Sequence, residues 1–299
     1  MLKNYLTLLA IGLIWGSQFI FQENALEAFN PVWIGTLRAI FGAITLFIIC
    51  RVMRISSDSK QWLLYAVIGL LEATIPFILI PFAQKELSSS VTAILMGTLP
   101  FYALLLAPVF IKNARISKGN LLSVIVGFSG LVVLFYPDLM STSSRVSLIS
   151  ILAVLFAAIC FAIALLLLNR VKEEHPLIVA RNVLFMASIQ LIIISLTTTM
   201  TLTQKSPPLS AFTAVIYLGV MCAGVVYYLY MMSIKNAGAV FTSMTNYLVP
   251  AIGVLISALV TNDSIQTTSW LALGIILSAL LMNQMAAKHD QKMQSEPLE

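Results

Sequence analysis

Charge is scarce in this chain. Asp, Glu, Lys and Arg make up 10% of its 299 residues, against about 25% in an ordinary soluble domain. Seventeen basic and 12 acidic side chains cannot clothe a water-facing surface of this size. That excludes a soluble globular enzyme, a disordered chain and a secreted disulfide scaffold. Cysteine is equally sparse. Cys50, Cys160 and Cys222 all lie inside apolar runs with no C-x-x-C spacing, so neither a disulfide nor a metal cluster is implied. Two histidines, His175 and His289, sit far apart in polar stretches, which speaks against a His-based metal site. There is no phosphate-binding G-x-x-x-x-G-K-[ST], no H-E-x-x-H and no G-x-S-x-G. No cofactor and no metal are expected. The net charge of +5 forms no dense patch interleaved with aromatics, so nucleic acid is not expected as a partner.

What fills the chain is apolar surface: 60% of residues, with a mean hydropathy of +0.97. Ten apolar runs can be marked, at approximately 5–21, 32–50, 61–83, 90–111, 120–136, 148–169, 177–197, 211–234, 239–261 and 269–287. A bilayer-crossing helix takes about 20 apolar residues. The expected fold is therefore an all-α integral membrane protein of ten transmembrane helices. No small-x-small cleavage site follows the first run, which reads as a retained helix. With the N-terminus in the cytoplasm, twelve loop Lys and Arg fall on the inner side, against Lys85, Arg145 and Lys205 on the outer side. Trp33, Trp62 and Trp270 each open a span, as an interfacial aromatic belt requires. The expected location is the cell (inner) membrane, multi-pass, with both termini cytoplasmic. Residues 288–299 are polar and read as a disordered cytoplasmic tail.

The chain also repeats itself. Shifted by 150 residues, Gly69 meets Gly219, Lys85 meets Lys235, Thr92 meets Thr242 and Pro100 meets Pro250. Arg38, seven residues after Pro31, is loosely echoed by Arg181, five after Pro176. Each half holds five spans. An odd number inserts the second half upside down, so the reading is two inverted repeats, residues 1–140 and 141–287. That is a transporter architecture, with the cargo site where the halves meet.

Several motifs sit on this frame: I-G-L-I-W-G-S at 11–17, N-P-x-x-x-x-x-x-R ending at Arg38, and S-S-V-T-A-I-L-M-G-T-L-P at 89–100. G-F-S-G-L-V-V-L follows at 127–134 and A-V-F-T-S-M-T-N-Y-L-V-P at 239–250. In that order and spacing the chain resembles the EamA branch of the drug/metabolite transporter superfamily, over about residues 5–287. The resemblance implies ten helices in inverted five-helix repeats and a central cavity lined by the first four helices of each half. It also implies movement of amino acids, metabolites or amphipathic drugs, with export common among bacterial members.

Polar groups in hydrocarbon are expensive and point to candidate sites. Glu72 lies near the middle of its span, four residues before Pro76. A proline frees a backbone carbonyl and bends a helix. A carboxyl there can hold an ammonium group, exchange a coupling proton, or serve as interhelical glue. Arg38 and Arg181 lie at shallow depth, as anchors by one reading and as gating or anion-binding residues by another. Trp15, Gln18 and Gln22 share one helical face, and Thr242, Thr245 and Asn246 another. Tyr102, Tyr227, Tyr228 and Tyr230 add aromatic surface. The expected substrate-binding set is Glu72, Trp15, Gln18, Tyr102, Tyr228 and Asn246. Pro76, Pro100 and Pro250 are the expected helix breaks. Gly12 and Gly16 form a G-x-x-x-G crossing signal.

The expected function is a secondary transporter that exports a small amphipathic metabolite, such as an amino acid, by alternating access. Lipid and the small-molecule cargo are its expected partners, a coupling proton is a further one, and a homodimer stays open. The alternatives are an intramembrane enzyme and a membrane assembly or receptor protein without flux.

Overall fold

The computed structural model describes residues 2–56, 59, 61–87, 89–111, 116–141, 147–198, 208–261 and 267–295. Every regular element among them is helical. Six stretches are long and apolar enough to cross a membrane: Lys3–Leu26, Pro31–Val52, Trp62–Ala83, Leu148–Val171, Pro176–Ser195 and Leu209–Ala237. Ile94–Phe110, Lys118–Leu134 and Trp270–Asn283 are shorter apolar helices. The all-helical membrane class is thus borne out.

In chain order the helices are α1 (Leu2–Leu26), α2 (Pro31–Val52), α3 (Trp62–Gly69), α4 (Ile75–Ala83), α5 (Ser89–Met96), α6 (Leu99–Phe110) and α7 (Lys118–Ser141). Then come α8 (Leu148–Leu168), α9 (Pro176–Ser195), α10 (Leu209–Gly219), α11 (Val226–Ala237), α12 (Ala239–Ser243), α13 (Thr245–Thr261) and α14 (Thr267–Ser295). Two π turns, Leu70–Thr74 and Val220–Val225, join α3 to α4 and α10 to α11.

Local chemistry starts the helices. Asn30 accepts the Trp33 N–H at 3.0 Å ahead of Pro31, and α2 begins there. His175 does the same for α9, accepting the Leu177 N–H at Nδ1 ahead of Pro176. Its ring is a helix cap.

Three expectations are corrected. Pro100 lies in the first turn of α6 and the interruption precedes it, at Gly97–Thr98. Pro250, expected to break its span, lies within α13, and the interruption falls six residues earlier, at Met244. There the Met244 N–H bonds back to Phe241 and the Tyr247 N–H to Met244, in tight three-residue turns. The helix α14 continues to Ser295, past Lys288, where a disordered tail is expected. Ala, Gln, Lys and Met in that stretch are good helix formers. Residues 296–299 lie outside the described residues.

The helices pack in matched pairs. α1 lies against α13 and against α10 and α11, while α8 lies against α6 and against α4. α2 crosses α9, and α7 crosses α14. Glycines allow the closest approaches. A Cβ on Gly69 would come within 2.8 Å of the Val183 carbonyl oxygen on α9, and one on Gly219 within 2.3 Å of Phe41 Cβ on α2. On α1, a Cβ at Gly16 would meet the Val249 carbonyl and the Gly253 N–H of α13, each at 3.0 Å. The G-x-x-x-G signal therefore marks a real crossing.

Candidate functional site

The π turns are where the helices expose backbone. In the first, the Ile75 N–H reaches back five residues to Leu70 O, and Pro76 has no N–H to give to Glu72 O, its usual partner. The Glu72 carbonyl is left free, and the Tyr227 hydroxyl donates to it at 2.9 Å. In the second, Val226 donates to Met221 O, five residues back, and passes over Cys222 O. The Cys222 carbonyl accepts instead from Trp15 Nε1 at 2.8 Å and from Arg38 Nη2 at 3.4 Å. Both freed carbonyls are satisfied by side chains from other helices, as buried backbone requires. Such π bulges are frequent at functional sites.

A cavity of about 800 Å³, its open mouth included, is lined in part by Trp15, Arg38 and Tyr227, the side chains that reach these carbonyls, and its size is within the range of small-molecule sites. Trp15, Gln18 and Gln22 face it from α1, and Arg38 from α2. Pro76, Phe77, Ile80 and Pro81 line it from α4, with Thr92, Met96 and Leu99 from the broken α5–α6 span. Phe161 of α8, Tyr227 and Tyr230 of α11, and Asn246 and Val249 of α13 complete the wall. Phe77 and Tyr227, Ile80 and Tyr230, Met96 and Asn246, and Leu99 and Val249 are each 150 residues apart. Trp15 and Phe161 are 146 apart.

Arg38 is 7% exposed and is the one charged side chain among the described residues lining the cavity. Its Nη2 donates to Gln18 Oε1 at 2.9 Å, and its guanidinium carbon lies 4.2 Å from the centre of the Phe77 ring. Its Nε is buried without a hydrogen-bond partner. Trp15 sits edge-on to Tyr227 at 6.4 Å and tilted against Tyr230 at 5.3 Å, giving one side of the cavity an aromatic wall. Asn246 donates from Nδ2 to Ser243 O at 3.0 Å, which leaves its Oδ1 unused by that bond.

Trp15, Gln18, Asn246 and Arg38, all expected from the sequence, come together here. Glu72 does not line the cavity. It is 0% exposed, and neither carboxyl oxygen has a hydrogen-bond partner. Tyr102 and Tyr228 pack half-buried against the core, outside the lining. Arg181 lies elsewhere, with its guanidinium bonded to Asn182 Oδ1 and its carbon 5.2 Å from the Phe47 ring centre.

The tyrosines that do line the cavity, Tyr227 and Tyr230, share a face at three-residue spacing, and Tyr228 points a third of a turn away. The 150-residue shift held the signal, because it sets these two positions opposite Phe77 and Ile80.

Polar ties continue from the cavity wall outward. Gln22 donates to Gln84, which follows α4. Ser150 donates to Glu86 at 2.6 Å, and the Ser150 and then the Ser147 hydroxyls hold that exposed carboxyl below the usual carboxylate range. Elsewhere Glu174 accepts from Tyr65 at 2.6 Å, Gln61 at 3.0 Å and Ser59 at 3.3 Å, joining the start of α3 to the link between α8 and α9.

The model of the EamA-like transporter family matches residues 2–136 and again residues 148–284. The uncharacterized inner membrane transporter YedA of Escherichia coli K12 is 23% identical over 278 residues, covering 92% of this chain and 88% of YedA. The uncharacterized transporter YoaV of Bacillus subtilis is 22% identical over 291 residues, 94% of each chain. A solved crystal structure superposes with a TM-score of 0.79 at 15% identity, covering 96% of this chain and 98% of the other, and establishes a shared fold.

Proposed function

The chain belongs to the EamA-like transporter family, and we propose that it carries a small amphipathic metabolite, an amino acid or similar compound, out of the cell by alternating access. It is a membrane transporter and not an enzyme.

One observation carries the mechanism: eight of the sixteen residues lining the cavity form four pairs 150 residues apart. We read residues 1–140 and 141–287 as inverted five-helix repeats making ten spans, with the cavity on the axis that relates them. The 146-residue spacing of Trp15 and Phe161 equals the spacing between the starts of the two family matches, at residues 2 and 148. Gly69 on α3 packs at Val183 of α9, and Gly219 on α10 packs at Arg38 and Phe41 of α2, so each half crosses the other in the same way. Rocking of one repeat against the other would open such a cavity to either face. Glu72, buried without partners behind Tyr227, is the candidate carrier of a coupled proton. The loop charges favour cytoplasmic termini.

The test is counterflow. Proteoliposomes preloaded with unlabelled solute should accumulate the labelled form of at least one amino acid or related metabolite, and protein-free vesicles should not. Folded, inserted protein that moves none of a broad panel would sink the reading. Orientation is tested separately: Ser57→Cys should react with an impermeant thiol reagent only after the cells are permeabilised, and reaction in intact cells overturns it. Buried Cys50, Cys160 and Cys222 give a quiet background.

A further inference from the structure

The cavity is positive. We propose that its cargo is a carboxylate with an apolar or aromatic body, and that Arg38 receives the carboxylate. The inference rests on the transporter reading and names the group that the site recognises.

Arg38 is a cation held inside a membrane protein, where an unpaired charge is costly. Its hydrogen bonds go to the neutral Gln18 side chain and the Cys222 carbonyl, and its flat face covers Phe77. Among the described residues no carboxylate hydrogen-bonds or ion-pairs with it. Glu72, the acid of the neighbouring π turn, lies outside the lining. The structure therefore orients a guanidinium toward the cavity with no counter-ion among the described residues that line it. Guanidinium is the group best shaped to take a carboxylate in two parallel hydrogen bonds.

The rest of the wall says what the carboxylate is attached to. Trp15, Phe77, Tyr227 and Tyr230 form a continuous aromatic surface beside the guanidinium. Gln18 and Asn246 are neutral, so a cationic cargo would meet Arg38 and no acid. The mismatch between halves produces this sign. The Gly69 and Gly219 contacts set Arg38 and Val183 at matching positions, so only one half supplies a charge and the cavity binds its cargo in one orientation.

A matched probe set decides the point on the full-length protein in detergent. Hydrocinnamate and L-phenylalanine carry the carboxylate, 3-phenylpropanamide is the neutral counterpart of the first, and phenethylamine is L-phenylalanine without its carboxylate. Both carboxylates should raise the thermal midpoint in a saturable way at millimolar concentration, and the amide and amine should not. Arg38→Gln should weaken carboxylate binding by about tenfold or more, as expected for loss of a charge-assisted bond, and Arg38→Lys should recover part of it. Equal binding of acid and amide, or no shift with either carboxylate, overturns the proposal on wild-type protein alone, whatever the variants do. Counterflow separates the two readings. Flux of phenethylamine without flux of the carboxylates leaves a transporter and overturns the carboxylate site. Arg38-dependent carboxylate binding without flux of any probe sustains the site and sinks the transporter reading.

Discussion

At Leu70–Thr74 the helix is interrupted ahead of a proline; at Val220–Val225 the same interruption is made without one. In both places a glycine immediately precedes the turn and is pressed against a helix of the other half, and a carbonyl two residues into the turn is left for a side chain to satisfy. The furnishing differs. The first turn carries a buried carboxyl on Glu72, and the second a thiol on Cys222. The first carbonyl is held by Tyr227, the second by Trp15 and Arg38. The comparison teaches that geometry is made twice and chemistry once. Close packing and freed backbone are common to both halves, while the charged residue lining the cavity, Arg38, and the buried carboxyl of Glu72 belong to the first half.

The largest effects should come from breaking the shared geometry. Gly219→Ala drives a Cβ to 2.3 Å from Phe41 Cβ, and Gly69→Ala drives one to 2.8 Å from a backbone oxygen. Each should cost about 1–3 kcal/mol of overpacking, partly offset by about 1 kcal/mol of helix propensity. A clear drop in thermal midpoint is expected, larger at Gly219. A neutral Gly69→Ala would show that the two crossings are not equivalent.

Next are the carbonyl caps. Tyr227→Phe leaves the buried Glu72 carbonyl without its donor, at a cost of about 1–3 kcal/mol. Trp15→Phe should cost less, about 0.5–1.5 kcal/mol, because Arg38 still reaches Cys222 O. Thermal unfolding of both variants checks the order; the reverse order would show that Arg38 does not hold the Cys222 carbonyl once Trp15 is gone.

Glu72→Gln should shift stability by under about 1 kcal/mol, since neither carboxyl oxygen has a partner to lose. Its effect belongs to coupling. Flux driven by a pH gradient should disappear while counterflow at equal pH persists. Unchanged gradient-driven flux would leave Glu72 without a part in transport. The smallest change is Gly274→Ala on α14, where a Cβ meets nothing within 4 Å. It should gain about 0.5–1 kcal/mol, and a loss would place an unseen neighbour there.

Much of this was legible in the sequence, and the reasons for the rest are local. Six of the ten apolar runs coincide with helices long and apolar enough to span, because a bilayer leaves a helix few other lengths. The polar face of Trp15, Gln18 and Gln22 was readable because an amide facing lipid is costly. Tyr227 and Tyr230 were missed in favour of Tyr228 because three tyrosines within four residues do not reveal which way the helix is turned. Depth and the nearby Pro76 point Glu72 at the cavity, but depth fixes height in the bilayer and not rotation about the helix axis. The π turns were hinted at by Pro76 only. Val226 holds the matching position, and nothing in its chemistry announces that its N–H will skip a carbonyl.

The most direct test of the account uses Asn246→Cys in a background lacking Cys50, Cys160 and Cys222. A membrane-impermeant maleimide is applied to one face at a time in oriented vesicles. Alternating access at a cavity shared by both halves predicts labelling from either face. Labelling from one face only, under every condition, would contradict it.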